Sequence, residues 1–182
     1  MPPVFLRIVR GIDAFTTWIG KAVAWLAIPL VLGLVYEVIA RKFFNEPTDW
    51  AYDLTYMQYG TLFMLGAAYT LYKGSHIRTD IFYRSFSPRW QGIVDAALYL
   101  FFFFPGMVFF LLAGYDYALR SWQSGELAAY SPWRPPIYPF KTVIPVTAVL
   151  LLIQGVSELI KSVYAAIYNQ WPAEHQAGGE IV

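Results

Sequence analysis

Residues 37–80 decide the fold, and they read EVIARKFFNEPTDWAYDLTYMQYGTLFMLGAAYTLYKGSHIRTD. The stretch contains the end of one apolar helix, a short charged turn, a second apolar run and a basic loop. Residues 54–72 carry no charged side chain, and about 20 apolar residues are enough for a helix to cross the roughly 30 Å hydrocarbon core of a bilayer. The stretch therefore predicts one complete membrane crossing with a charged segment at each side.

The charged residues of this stretch lie where a bilayer tolerates charge. Glu37 and Arg41 are four residues apart, so we expect them to pair on one face at a helix end, within reach of the headgroups. Asp53 falls in the first turn of the next helix, where the positive end of the helix dipole favours an anion. The charges thus mark the boundaries of two helices.

Four short motifs follow one another in the same stretch. They are Arg41 with Phe43, Phe44 and Asn45; Trp50 with Asp53; Leu-Gly-Ala-Ala at 65–68; and Gly74, His76, Ile77 and Asp80. In this order and spacing they resemble the small membrane subunit of tripartite ATP-independent periplasmic (TRAP) transporters. The chain departs from the family pattern in carrying Asp53 where a Glu is usual, and in the shift of the aromatic pair by Lys42.

The resemblance implies a non-enzymatic subunit of a secondary transporter. In that system a periplasmic binding protein delivers an organic acid to a large membrane subunit, and a sodium or proton gradient drives uptake. The family places this subunit in the bacterial inner membrane, with no cofactor or metal of its own. Substrate specificity is expected to reside mainly in the binding protein and the large subunit.

A bundle with charges at both membrane interfaces is suited to brace a moving transport subunit. We expect an outer corner formed by Glu37, Arg41, Trp50 and Asp53. An inner corner is expected from Lys73, His76, Arg78 and Asp80. Gly66 belongs to a run of small residues of the kind that lets helices approach closely in lipid. These nine residues are the candidates for subunit contacts or structural roles.

Composition supports a membrane protein and excludes several functions. The chain is 58% hydrophobic and only 14% charged, which is too apolar for a soluble domain. A net charge of +1 gives no basic patch for nucleic acid. The absence of Cys removes disulfides, thiolate metal sites and iron–sulfur clusters. His76 and His175 lie in a loop and a polar tail, so bis-His haem ligation within a bundle is excluded.

The hydrophobic pattern predicts a single all-α membrane domain with four transmembrane helices and one or two amphipathic interfacial helices. The predicted segments are an interfacial helix at 4–20, spans at about 22–40, 50–72, 93–119 and 141–168, and a polar tail at 169–182.

The segment at 4–20 has two arcs on a helical wheel. The apolar arc, predicted to face lipid, comprises Val4, Phe5, Ile8, Val9, Ile12, Phe15 and Ile19; the polar arc, predicted to face the headgroups, comprises Arg7, Arg10, Asp13, Thr17 and Lys21. The same residues are also compatible with an extension of the first span. Further along, Pro29 predicts a kink in the first span, and Pro105 with Gly106 predicts a weak point in the third.

Basic residues predict the orientation. The side that includes the N-terminus holds the larger group: Arg7, Arg10, Lys21, Lys73, Arg78, Arg84, Arg89 and Lys161, against Arg41, Lys42, Arg120, Arg134 and Lys141 on the other side. The more basic side is the cytoplasmic one. Both termini are therefore predicted to be cytoplasmic, with the Trp- and Pro-rich loop at 120–140 facing the periplasm and the binding protein.

The placement of polar groups argues against a conduit through this subunit alone. A pathway needs polar or ionisable groups near the midplane, whereas the charges here lie toward span ends, including a Glu158–Lys161 pair. The mid-span Gln58, Thr61 and Gln154 are expected to form interhelical hydrogen bonds. Two rival interpretations are a haem-free membrane anchor of a respiratory oxidoreductase and a stand-alone small channel or exporter.

Overall fold

The computed structural model describes residues 3–74, 86–129 and 131–172. Its helices are α1 (Pro3–Ala24), α2 (Ala27–Phe43), α3 (Ala51–Tyr72), α4 (Pro88–Leu98), α5 (Phe104–Ser124) and α6 (Tyr138–Tyr168). A π-helical turn, Tyr99–Phe103, joins α4 to α5. Within the described ranges the extended pairing is limited to an isolated bridge between Leu127 and Pro136. The predicted all-α architecture is confirmed.

Three helical stretches among the described residues are long and apolar enough to cross a membrane: Val4–Phe43, Pro88–Ser124 and Tyr138–Tyr168. Their surfaces carry exposed aromatic rings, with Phe102 and Phe109 each 73% exposed, which is the surface a bilayer covers. The predicted second span corresponds to α3, whose 22 residues make about 33 Å of helix. Its tyrosines, threonines and Gln58 make it less apolar than the other three stretches.

The first apolar stretch breaks between α1 and α2. The turn at residues 25–26 is closed by a bond from the Leu26 N–H to the Val23 carbonyl, and α2 begins at Ala27. Pro29 therefore lies in the first turn of α2, where its missing N–H removes no helical bond. The predicted kink near Pro29 corresponds to this break, which lies in the helical turn just before the proline.

The predicted weak point at Pro105 is marked by the π-helical turn just before it. Proline has no N–H to donate to the carbonyl four residues earlier, so the preceding turn is free to widen. The Phe103 ring lies against Gly155 of α6, where a Cβ atom would be only 2.4 Å from the ring. The wider turn and the glycine together let this ring fit between two helices.

Helix α6 is the centre of the bundle and packs against α1, α3, α4 and α5. It holds twelve of the buried residues, many of them polar, including Gln154, Glu158 and Lys161. Helix α2 packs against α3 and has no buried residue. The loop end of the bundle is defined here as the end where α2 joins α3 and α5 joins α6.

The predicted arcs of α1 are partly wrong. Phe5, Ile8 and Phe15 are exposed as expected for lipid-facing residues, but Val9 is fully buried. Asp13, predicted to face the headgroups, is 7% exposed and lies against α6. The wheel located the polar side of α1 correctly, but part of that side is covered by polar residues of α6 rather than by water.

Candidate functional site

The first ion-pair contact at the loop end joins α2 to the turn that follows it. Arg41 Nη2 lies 2.5 Å from Glu37 Oε1, and Arg41 Nε donates to the same oxygen at 3.0 Å. The other carboxylate oxygen of Glu37 accepts from the Thr48 N–H at 3.1 Å and from the Thr48 hydroxyl. The predicted Glu37–Arg41 pair is therefore present, and Glu37 also fixes the chain's entry into α3.

The four predicted residues of the outer corner do not all meet. Trp50 stacks on Tyr36, with ring centroids 5.7 Å apart, so it lies on the α2–α3 corner beside Glu37. Asp53 instead lines a cavity between the start of α3 and the segment at 125–137. The structure thus groups Glu37, Arg41 and Trp50, and places Asp53 at a separate site.

A second ion-pair contact at the loop end joins the 125–137 segment to α6. Lys141 Nζ lies 2.5 Å from Glu126 Oε2 and 3.9 Å from the centre of the Tyr117 ring on α5. The hydrogen bond from Lys141 lowers the pKa of Glu126 below the usual value of a glutamate. Nearby, Trp122 Nε1 donates to Thr142 Oγ1 at 2.8 Å. These contacts hold α5 and α6 together where they leave the bundle.

The Glu126–Lys141 pair predicts a small pH dependence of stability. Because the folded pKa of Glu126 is lowered, its contribution is present above the unfolded pKa of about 4.3 and is lost as the pH falls through the folded value. Glu126→Gln should therefore lower the melting temperature slightly at pH 7, and the difference from the parent should vanish in acid. Thermal melts of both proteins from pH 7 to pH 3 check this. A difference that persists unchanged at pH 3 would show that the charge is not the cause.

A buried polar cluster joins α1 to α6 in the half of the bundle away from the loop end. Its members are Asp13, Thr16, Gln154, Ser157, Glu158 and Lys161, all under 8% exposed. Lys161 Nζ lies 2.9 Å from Asp13 Oδ2 and 2.8 Å from Glu158 Oε1. Because the lysine lies between two carboxylates, it compensates charges contributed by both helices.

Neutral groups complete the buried polar cluster. Gln154 Nε2 donates at 3.1 Å to both Asp13 and Glu158, and its Oε1 accepts from the Thr16 hydroxyl at 2.7 Å. Ser157 donates to Asp13 at 2.7 Å. The ring of Tyr72 on α3 lies 5.3 Å from Lys161 Nζ. The cluster therefore ties α1 and α6 directly and reaches the end of α3.

Sequence reasoning found parts of this cluster but not the whole. The Glu158–Lys161 pair and the interhelical role of Gln154 were predicted, and the structure contains both. The role of Asp13 was missed. A signal was present in the spacing of Gln154, Ser157, Glu158 and Lys161, which repeats as one polar face along α6. A polar face on an otherwise apolar helix requires polar partners from another helix.

The remaining predicted residues divide into three groups. Lys73 lies 5.7 Å from the centre of the Tyr72 ring. His76, Arg78 and Asp80 lie outside the described residues. Gly66 has no atom of a neighbouring helix within 4 Å of the position that a Cβ would take. The small-residue contact expected at Gly66 is therefore not made within the described part of this chain.

The arrangement of polar groups is typical of helix anchoring. Across residues 3–74, 86–129 and 131–172, no three His, Asp or Glu side chains come together as a metal site. Apart from the Glu37–Arg41 and Glu158–Lys161 pairs, which each lie within one helix, the charged contacts described above join neighbouring helices, or a helix and its adjoining segment.

Comparison with known proteins identifies a matching family. Residues 30–164, well over half of the chain, match the family described as "Tripartite ATP-independent periplasmic transporters, DctQ component". The match runs from the first turn of α2 to nearly the end of α6. It therefore includes both ion-pair contacts at the loop end and the α6 part of the buried polar cluster. No sequence among the curated proteins matches the chain.

Proposed function

The chain belongs to the DctQ family, the small membrane component of TRAP transporters, and from this premise we propose that it braces the large transport subunit. The family match favours the transporter over a respiratory membrane anchor. We further propose that the complex takes up an organic acid, which a periplasmic binding protein delivers and a sodium or proton gradient drives inward.

The observation that carries the bracing role is the buried polar cluster. A scaffold must hold its helices in fixed positions while a neighbouring subunit moves, and buried ion pairs with satisfied hydrogen bonds resist separation because splitting them leaves charges in a medium of low dielectric constant. The Asp13–Lys161 contact fixes α1 on α6 in this way. The Glu37 and Glu126 contacts fix the loop end.

The surface formed by α2 and by α3 around Gly66 is suited to contact with another membrane protein. Helix α2 buries no residue in this chain, and the backbone at Gly66 is open to close approach by another helix. We propose that the large subunit covers part of this surface and that lipid covers the rest. The excess of basic residues on the side with the N-terminus supports cytoplasmic termini in a bacterial inner membrane, with the loop end in the periplasm.

The Glu37–Arg41 pair provides a test of this role. The Arg41 side chain is 63% exposed, so its removal should change the stability of the isolated chain by less than about 1 kcal/mol. Arg41→Ala is nevertheless expected to reduce assembly or uptake more than Arg7→Ala does, because Arg41 lies at the corner proposed to meet the partner. Uptake is compared at equal membrane abundance of the two variants. Equal uptake would contradict the ranking.

Reconstitution tests the function as a whole. Proteoliposomes are prepared with the chain, the large subunit and the binding protein, and with each protein omitted in turn; a panel of radiolabelled carboxylic acids is the probe. Uptake is expected only when all three proteins and an ion gradient are present. Transport by the chain alone would favour the stand-alone channel, and full transport without the chain would contradict a bracing role.

A further inference from the structure

One carboxylate oxygen of Asp53, Oδ2, is buried and has no hydrogen-bond donor among the residues that the structure describes. The residue lies in the first turn of α3 and is 8% exposed. An ionised carboxylate removed from water is costly unless a cation or several donors compensate it. Asp53 therefore has the chemistry of one half of an ion pair.

A cavity of about 440 Å³ opens beside this carboxylate at the loop end. Its lining includes Asp53, Glu126, Tyr52, Tyr56 and Ser131. Glu126 is already paired, because it accepts from Lys141, whose ammonium group also lies over the Tyr117 ring. The described lining thus includes two carboxylates and no Lys or Arg, and since only Glu126 is paired with a lysine, the formal charge that remains at the cavity is negative.

The lining indicates the chemical class of the occupant. A guanidinium group binds a carboxylate through two parallel hydrogen bonds and also stacks on aromatic faces. Tyr52 is 79% exposed, so its ring is available for such stacking. Tyr56 is 59% exposed, and its ring also contacts the Phe140 ring edge-on, with centroids 5.4 Å apart. A bound metal ion fits less well, since the described residues place no third acid or histidine with Asp53 and Glu126.

We propose that the Asp53 cavity receives an arginine side chain of the large membrane subunit. The inference rests on the proposed function, which supplies that partner. A carboxylate this deeply covered is costly whenever the cavity is empty. A partner that stays bound through the transport cycle therefore fits better than a binding protein that arrives and leaves.

The test uses Asp53→Asn with Asp49→Asn as the matched control. Asp49 is an exposed acid just before α3, so the control removes the same charge from the same corner. Each tagged variant is purified from its native membrane in mild detergent, and the large subunit retained is measured by mass spectrometry. Truncating one side of a buried charge pair should weaken the complex by about thirtyfold or more. Asp53→Glu, which keeps the charge, should retain more partner than Asp53→Asn.

A second readout separates a contact from an internal structural role. The described residues of this chain offer Asp53 Oδ2 no donor, so in the isolated chain the relief of a buried charge in Asp53→Asn should offset the lost helix-dipole interaction, and the melting temperature should change little. A clear fall in the melting temperature of the isolated variant would overturn the proposal, because it would mean that Asp53 stabilises this chain itself. Equal retention of the large subunit by both Asn variants would also overturn it.

The chain contains no cysteine, so a single introduced thiol identifies the neighbour. Tyr52→Cys, labelled with a benzophenone maleimide in membranes containing the whole complex, should crosslink to an arginine-bearing segment of the large subunit. Crosslinking to the binding protein instead would overturn the assignment. If the unmodified chain retains no large subunit, the proposed function fails and this inference fails with it; failure of the Asp53 variant alone leaves the proposed function standing.

Discussion

Lys161→Met is expected to destabilise the chain more than any other single charge removal among the described residues. The lysine is 1% exposed and lies within 3 Å of carboxylate oxygens on α1 and α6. Without it, Asp13 and Glu158 lose their shared cation while buried. Breaking a buried pair by removing one partner costs about 3–5 kcal/mol, which for a chain of this size corresponds to a fall in melting temperature of roughly 6–20 °C.

The control for this prediction is Lys42→Met, which removes an exposed cation at the end of α2. It should change the melting temperature little, as surface substitutions usually do. Adding Asp13→Asn to Lys161→Met should recover part of the lost stability, because it removes one of the two buried carboxylates that had shared the lysine. Equal melting temperatures for the two lysine variants would show that the cluster does not hold α1 in place.

Gly92→Ala is the second substitution with a large expected effect. Helix α4 approaches α6 at this glycine so closely that a Cβ atom would lie 2.5 Å from the Ser162 carbonyl oxygen and 2.6 Å from the Ala166 nitrogen. These are backbone atoms of the central helix, so they cannot rotate away. Overpacking of a close contact costs about 1–3 kcal/mol, and we expect the upper part of that range in thermal melts of the purified chain.

Gly106→Ala is the matched control, since it adds the same methyl group to a helical glycine of the same apolar stretch. Apart from the backbone of its own helix, none of the described atoms lies within 4 Å of that Cβ position, and alanine favours a helix over glycine by up to about 1 kcal/mol. The control should therefore be neutral or slightly stabilising. A Gly92 variant that behaves like the Gly106 variant would contradict the close α4–α6 contact.

The helical bundle was predictable from sequence because hydrophobic length and charge placement are local properties. The boundaries of α3 and α6 lie close to the predicted spans, and the Glu37–Arg41 pair follows from helical spacing alone. Pro29 indicated the break before α2, but the form of that break was harder to predict. Proline is accepted in a first helical turn as well as at a kink, and sequence does not distinguish the two without the turn at residues 25–26.

The contacts of the candidate sites depend on long-range packing, and this is why sequence reasoning missed part of them. A helical wheel shows that Asp13 is on the polar side of α1, but the groups that cover it lie more than 140 residues away on α6. Asp53 was grouped with Glu37 and Arg41 because the three are close in sequence. Its cavity is formed instead by a segment more than 70 residues later, which no local pattern relates to α3.

We expect the chain to work as the small subunit beside a large transport subunit. The most direct measurement is purification of the tagged chain from its native membrane in mild detergent, with mass spectrometry of the proteins that accompany it and an absorption spectrum of the sample. We predict a large polytopic membrane protein and a colourless sample. Haem or flavin bands together with a soluble oxidoreductase would contradict the transporter account and favour a respiratory anchor.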